Sequence, residues 1–377
     1  MPASFTDGDD RRRDLDTATG SPPSDVTRQA LAGGWSGAWA DPGRRYPAGR
    51  RARRVLDTAR ASVARSWDVD PAGVLFAPDR ATAIWWGLTG HRADHPRLVV
   101  SAVEDLETLR TADVLAGWGA PLTTVGVSPS GAVELGELSA ALAEGGPATV
   151  VVQAANIEIG TRQDLAAVRD IAAGHVLVVD QQALAGRAPL AAEWDVTYAE
   201  ARMWGGPPGV TVVAVRDPGR FRPASAPTTG HASVEQTYPP VPLIAAAALA
   251  LETPDPRWEA TADLSDRLRG AVLRIPHSAV VGEPRVGYLT MFTFLYVAAD
   301  ELVDELARRG WAVSSGASCT SDTRRPHHVL VAVGASTHGS LRVSLGPDVT
   351  AGDVDAFSAD LADIVTRLRS EAGAADL

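Results

Sequence analysis

The chain has 377 residues and a formal net charge of −11, carried by 46 acidic and 35 basic side chains, none of them lysine. A chain without lysine excludes an internal Schiff base, a P-loop lysine and an ammonium nucleophile. Its acidic balance argues against nucleic-acid binding, because phosphate backbones attract basic faces, while 45% hydrophobic and 21% charged residues suit a globular fold of one large or two medium domains.

In chain order, residues 1–25 are polar and charged and lack the apolar core of a secretory signal, so they are expected to form a disordered tail. The arginine-dense stretch from Arg44 to Arg60 reads as one amphipathic helix. Val55, Leu56, Ala59, Val63 and Trp67 would face inward, with the charges in solvent. Short β-rich runs follow at 74–77, 98–103, 123–127, 149–153, 176–179 and 210–215. Helical segments at 106–118, 135–143 and 165–173 lie between several of them. Unbroken apolar strands alternating with helices are the signature of a mostly parallel sheet covered on both faces. A proline-rich break at Pro239, Pro240 and Pro242 leads into an alanine-rich helix ending near Glu252. The remainder has a helix at 264–273, strands at 279–281 and 288–297, a helix at 301–309, a strand at 341–345 and a final helix. It reads as a smaller α+β domain. The expected division is a large α/β domain over residues 26–252 and a small domain over 253–377. No run approaches the ~18 apolar residues of a membrane span, so a cytoplasmic protein without membrane contact is expected.

The loop Ser-Ser-Gly-Ala-Ser-Cys-Thr-Ser at 314–321 runs into Pro326, His327, His328, Val329 and Leu330, and Ser-Leu-Arg-Val-Ser-Leu-Gly follows at 340–346. These segments resemble the C-terminal domain of cysteine desulfurases, enzymes of the class V aminotransferase fold. Further similar segments run in the same order between residues 30 and 370: the glycine–arginine helix after Tyr46, Asn-Ile-Glu-Ile-Gly at 156–160, the strand ending at Asp180, and Gly-Gly-Pro-Pro at 205–208. The resemblance implies an α/β fold with a mostly parallel seven-stranded sheet and a smaller C-terminal α+β domain. It also implies a homodimer that uses pyridoxal phosphate (PLP) to move sulfur from cysteine onto a loop cysteine. It maps that cysteine to Cys319 and a carboxylate-binding arginine to Arg342, and it keeps Asn156, Glu158 and Asp180. Against the same pattern, the cofactor lysine falls on Met203 and the ring-stacking histidine on Asp105. The phosphate-cradling turn falls on Asp79 and Arg80, and the phosphate contact from the other subunit on Thr237 and Tyr238. These replacements lead to the expectation that the chain binds no cofactor.

Cys319 is the sharpest functional candidate. Its small polar neighbours suit a mobile loop, and Arg324, Arg325, His327 and His328 favour its thiolate; the alternative is an inert loop cysteine. Asp105 and Asp180 are expected in one cavity, where two carboxylates push one pKa upward and form an acid–base pair. Alternatively, they cap a helix N-terminus and a strand end. Arg342, Asn156 and His327 form a candidate substrate-binding set, although Arg342 equally suits an internal pair with a carboxylate. Trp85, Trp86, Trp204 and Met203 either line the cavity or fill it. His327 and His328 are adjacent and are expected to diverge on a helix. The leading expectation is a PLP-independent protein that accepts sulfur from another enzyme as a Cys319 persulfide and passes it to a partner. The alternatives are a cofactor-free enzyme or small-molecule binder built on Asp105 and Asp180, and a non-catalytic partner of an active desulfurase. A homodimer is expected, or a heterodimer with an active paralogue.

Overall fold

The computed structural model describes residues 13–224, 239–316 and 327–374. Seven strands form the larger sheet: β1 (Val74–Ala77), β2 (Arg97–Ser101), β3 (Leu122–Val125), β4 (Ala148–Gln153), β5 (Val176–Asp180), β6 (Val196–Glu200) and β7 (Thr211–Val215). Their order is β1-β7-β6-β5-β4-β2-β3. Strands β2 to β6 pair in parallel, whereas β7 is antiparallel to both β6 and β1. Val150 and Val152 of β4 enter one core with Leu177 and Val179 of β5; Val151 and Val178 enter the other. Burial on both faces is why these strands read as apolar runs with no alternation.

The helices of this part are α1 (Asp25–Gly37), α2 (Pro47–Ser66), α3 (Arg80–Thr89), α4 (Leu106–Gly117), α5 (Leu135–Ala143), α6 (Leu165–Ile171) and α7 (Val241–Glu252). The arginine-rich α2 buries Leu56, Ala59 and Val63, with Trp67 at its C-cap, and turns its charges outward. On the opposite face α3 and α4 bury Ile84, Trp86 and Leu115.

The smaller sheet contains β8 (Ser278–Val281), β9 (Leu289–Phe294) and β10 (Ser340–Ser344), antiparallel in the order β10-β9-β8. Around it lie α8 (Thr261–Val272), α9 (Ala299–Arg308), α10 (His328–Ala332) and α11 (Ala351–Glu371). Val354, Phe357, Leu361, Ile364, Val365 and Leu368 form the buried stripe of α11, which opens with a Thr350–Asp353 capping box. Leu341 and Val343 of β10 meet this stripe, so Arg342 between them points to the other side.

Two sequence expectations change here. Residues 13–24 are not a loose tail: Leu15 is buried in the small-domain core, and its N–H donates to Ala312 O at 2.9 Å. Farther along, Ser21 N–H donates to Arg202 O at 2.8 Å and Ser24 N–H to Gly205 O at 3.0 Å. The segment holds by backbone pairing, which a polar composition does not reveal. Strand β6 lies in the middle of the large sheet, where the sequence gives only the short run Val-Thr-Tyr-Ala-Glu with no turn residue before the following 3-10 turn, Ala201–Trp204.

Candidate functional site

The carboxyl ends of parallel strands form the edge where open α/β sheets bind ligands. Asp180 is the last residue of β5 and pairs in register with Gln153, the last of β4. Asp105 is the N-cap of α4, beyond β2, and accepts the Glu107 N–H at 2.8 Å. Arg80 opens α3, beyond β1, after the N-cap Asp79, which accepts the Thr82 N–H at 2.7 Å.

Arg80 binds this edge together. Its Nη2 lies 2.5 Å from Asp105 Oδ1, and its charge also acts on Asp180. Burial alone would raise the Asp105 carboxyl. The Arg80 charge, the hydrogen bond from Arg80 and the Glu107 N–H outweigh it and hold the group below its ordinary value. Asp180 goes the other way. Burial, aided by the charges of Asp105 and Glu200, overcomes Arg80 and the Gln182 N–H and pushes it up to about 6. One carboxylate stays ionised and its neighbour titrates close to neutrality. Arg80 thus acts on both carboxylates, in ion-pair contact with Asp105 and through its charge on Asp180. Glu104, fully buried, accepts the Gln153 N–H at 3.0 Å and is pushed well above the carboxylate range by burial.

A second cluster joins the two domains. Asn156 accepts the N–H groups of Glu158 and Ile159 at 2.8 and 2.9 Å and donates to Val103 O at 3.0 Å. Its role here is to shape the turn that presents Glu158. The Glu158 carboxylate lies 2.8 Å from Arg342 Nη1 and 3.6 Å from His327 Nε2. Burial opposes its charge, but Arg342 and His327 prevail and hold it below its ordinary value. Arg342 also reaches Asp16 Oδ1 at 2.9 Å and Thr19 Oγ1 at 3.0 Å through Nη2. Its buried guanidinium is thus engaged by two carboxylates of the chain itself.

His327 and His328 do not diverge: their rings stack at 5.5 Å with 12° between planes. His327 is the N-cap of α10, outside the helical spacing that the expectation assumed. His328 Nε2 lies 2.9 Å from Glu104 O, which ties α10 to the large domain. Met203 is buried in the core beside Trp204, whose Nε1 donates to Ala247 O at 2.9 Å. Trp86 belongs to the core on the other face, and Trp85 meets Trp118 edge-on at 5.6 Å. Cys319, with Arg324, Arg325, Thr237 and Tyr238, lies outside the described residues. Sequence reasoning did not single out Arg80, Glu104, Asp16 or Thr19 for the parts they take here. For the second cluster the sequence carries Asn156 and Glu158 in their turn motif, with His327 and Arg342, but gives no sign of Asp16 or Thr19.

Residues 44–357 match the aminotransferase class V family. The chain belongs to that family. A cysteine desulfurase of Archaeoglobus fulgidus is 27% identical over 373 residues, covering 94% of this chain and 97% of that one. A cysteine desulfurase of Nostoc is 28% identical and covers 88% and 87% of the two chains. Among solved structures, a NifS-like protein superimposes with a TM-score of 0.85 at 22% identity, over 94% of this chain and 100% of that one. A NifS-like protein from Rickettsia africae gives 0.82 at 20% identity, over 94% and 99%.

These matches correct one expectation. The sequence led to a chain with no cofactor; membership of this class V family, with cysteine desulfurases matched along nearly the whole chain, overturns that exclusion. The local residues fit PLP at one end. Asp180, buried at the strand end, suits a partner for the ring nitrogen, whereas no side chain of the sequence supplies a primary amine for the aldehyde. No described helix is long and apolar enough to cross a membrane.

Proposed function

We propose that the chain carries sulfur as a persulfide on Cys319, received from another enzyme and passed to an acceptor. The likeness to cysteine desulfurases supports sulfur chemistry in general. One observation carries the finer reading. The residues on either side of the cysteine segment converge on the Glu158–Arg342 cluster. Ser314 forms an antiparallel bridge with Arg342, and its carbonyl accepts the Arg342 N–H at 2.6 Å. At Gly316 a Cβ would lie 3.1 Å from Glu158 Oε2, and His327 faces the same carboxylate from the far end of the segment.

In the transfer, the Cys319 thiolate attacks the outer sulfur of a donor persulfide. The donor S–S bond breaks, the donor leaves as a thiolate, and Cys319 retains the outer sulfur; no net oxidation occurs. Arg342 takes the carboxylate of the sulfur-bearing ligand. The test is incubation with an active desulfurase and cysteine, read by intact mass. One sulfur should add to the wild type and none to Cys319→Ala. No addition, or equal addition to both, overturns the proposal.

A second reading rests on the split between Asp105 and Asp180, which is the arrangement that general acid–base work needs. On it, small-molecule binding at the strand ends should titrate near the pH where Asp180 ionises, about 6, and should be flat in Asp180→Asn. A wild-type profile without that step counts against it.

A further inference from the structure

Arg342 is not waiting for a ligand. Among the described residues its positive charge faces two carboxylates, and these are held very differently. Glu158 is buried and its backbone is fixed by Asn156, so it cannot leave without unmaking a turn. Asp16 belongs to residues 13–24, and its side chain is 24% exposed where that of Arg342 is 5%. Its backbone is fixed: Ser344 N–H donates to Leu15 O at 2.7 Å, and the Leu15 side chain is buried. The Asp16 carboxylate, whose Oδ2 also accepts the Thr19 hydroxyl at 2.7 Å, can therefore swing off Arg342 by side-chain rotation, giving up that bond, while the strand pairing stays in place.

We infer that Asp16 is a built-in competitor for Arg342, an internal carboxylate that a ligand's carboxylate must displace. This rests on the reading of Arg342 as the carboxylate-binding group. The physical reason is charge balance. A third carboxylate added beside Glu158 and Asp16 would bring like charges together in a buried site, which is strongly unfavourable. With Asp16 turned away, Arg342 would hold one internal and one external carboxylate. Thr19 at 3.0 Å holds Arg342 Nη2 on the same side, so the guanidinium keeps its aim after the exchange. Asp16 thereby sets the carboxylate affinity of the site and selects for ligands whose other contacts offset its displacement.

The test measures cysteine binding to the full chain by calorimetry, with cysteamine as the matching thiol-amine that lacks a carboxylate. Asp16→Asn keeps a hydrogen-bond acceptor for Arg342 but removes the competing charge. It should tighten cysteine about tenfold, one such step in affinity being about 1.4 kcal/mol, and leave cysteamine unchanged. Asp16→Ala should tighten cysteine at least as much and serves if the asparagine variant melts early. Unchanged or weaker cysteine binding in a folded variant overturns the inference, and so does equal tightening of cysteamine. Arg342→Gln separates the two claims. If it abolishes cysteine binding while Asp16→Asn has no effect, the competitor role fails and the reading of Arg342 stands. If Asp16→Asn/Arg342→Gln binds cysteine as tightly as Asp16→Asn, the reading of Arg342 itself fails.

Discussion

Asp180 ends a central strand with its carboxyl buried, and its sign with pH follows from that. Because its pKa is raised in the fold to about 6, the folded chain holds the proton more tightly than the unfolded chain does. Stability from this group is therefore fully present below about pH 4 and lost as pH rises to about 6. Asp180→Asn removes the loss. It should be more stable than wild type by about 3 kcal/mol at pH 8, because raising the pKa by about two pH units costs 1.36 kcal/mol for each, and equal to it near pH 4. Urea unfolding at several pH values reads this directly; a gain that does not vary with pH would refute it. Glu158→Gln goes the other way, since it leaves Arg342 buried with one ionic partner fewer. A loss of about 3 kcal/mol is expected, visible as an early thermal midpoint. At this scale the sequence showed Asp105, Asp180, Glu158 and Arg342 through motif resemblance. It hid their partners, because Arg80 stands there only as a replacement in the phosphate-cradling turn, Asp16 carries no motif, and both meet them only through the fold.

The position of Arg342 depends on the registry of β10 against β9, where it sits opposite Met291. That registry is fixed at the strand entry by Gly339. Gly339 has φ +65°, and a Cβ there would overlap Phe294 O and lie 3.0 Å from Val297 O, both rigid backbone atoms. Its own carbonyl accepts the Phe294 N–H at 3.0 Å. Gly339→Ala thus combines a left-handed backbone with a contact that cannot relax by side-chain motion. It should lower stability by at least ~2 kcal/mol and weaken cysteine binding together with it, as a shift of β10 moves Arg342. A variant with wild-type melting and binding would show that the turn accommodates a Cβ. Element types along β4, β5 and α2 were legible because apolar runs and a 3.6-residue stripe report burial on two faces and on one. β6 escaped because a five-residue strand with a threonine and a glutamate reports neither.

Across the whole molecule, residues 13–24 act as a tie between the two sheets. At one end Leu15 fills the small-domain core and pairs with Ala312 and Ser344; at the other, Ser21 and Ser24 bond Arg202 and Gly205 beside β6. Between them, Arg187 of the large domain donates to Thr17 O and, at 3.0 Å, to Ser21 Oγ. The tie needs little distinctive sequence because its strength lies in backbone hydrogen bonds and one leucine. Leu15→Ala should therefore destabilise the small domain by about 3 kcal/mol, the usual result of emptying a buried leucine site. Deleting residues 1–24 removes the leucine and every bond that spans the sheets through this segment. The remaining couplings are extensive and largely apolar. One buried cluster joins Val103 and Ile159 to Met291, Val329 and Leu330, while Trp258, Val286 and Tyr288 pack into the large core. The Arg162 N–H donates to Pro284 O at 2.7 Å and the Val286 N–H to Gly160 O at 2.9 Å. Parts that share a buried apolar cluster unfold as one cooperative unit. Scanning calorimetry of the deletion should accordingly give a single transition at a lowered midpoint, as Leu15→Ala should. Two resolved transitions in the deletion would mean that the N-terminal segment, and not the shared cluster, carries the coupling.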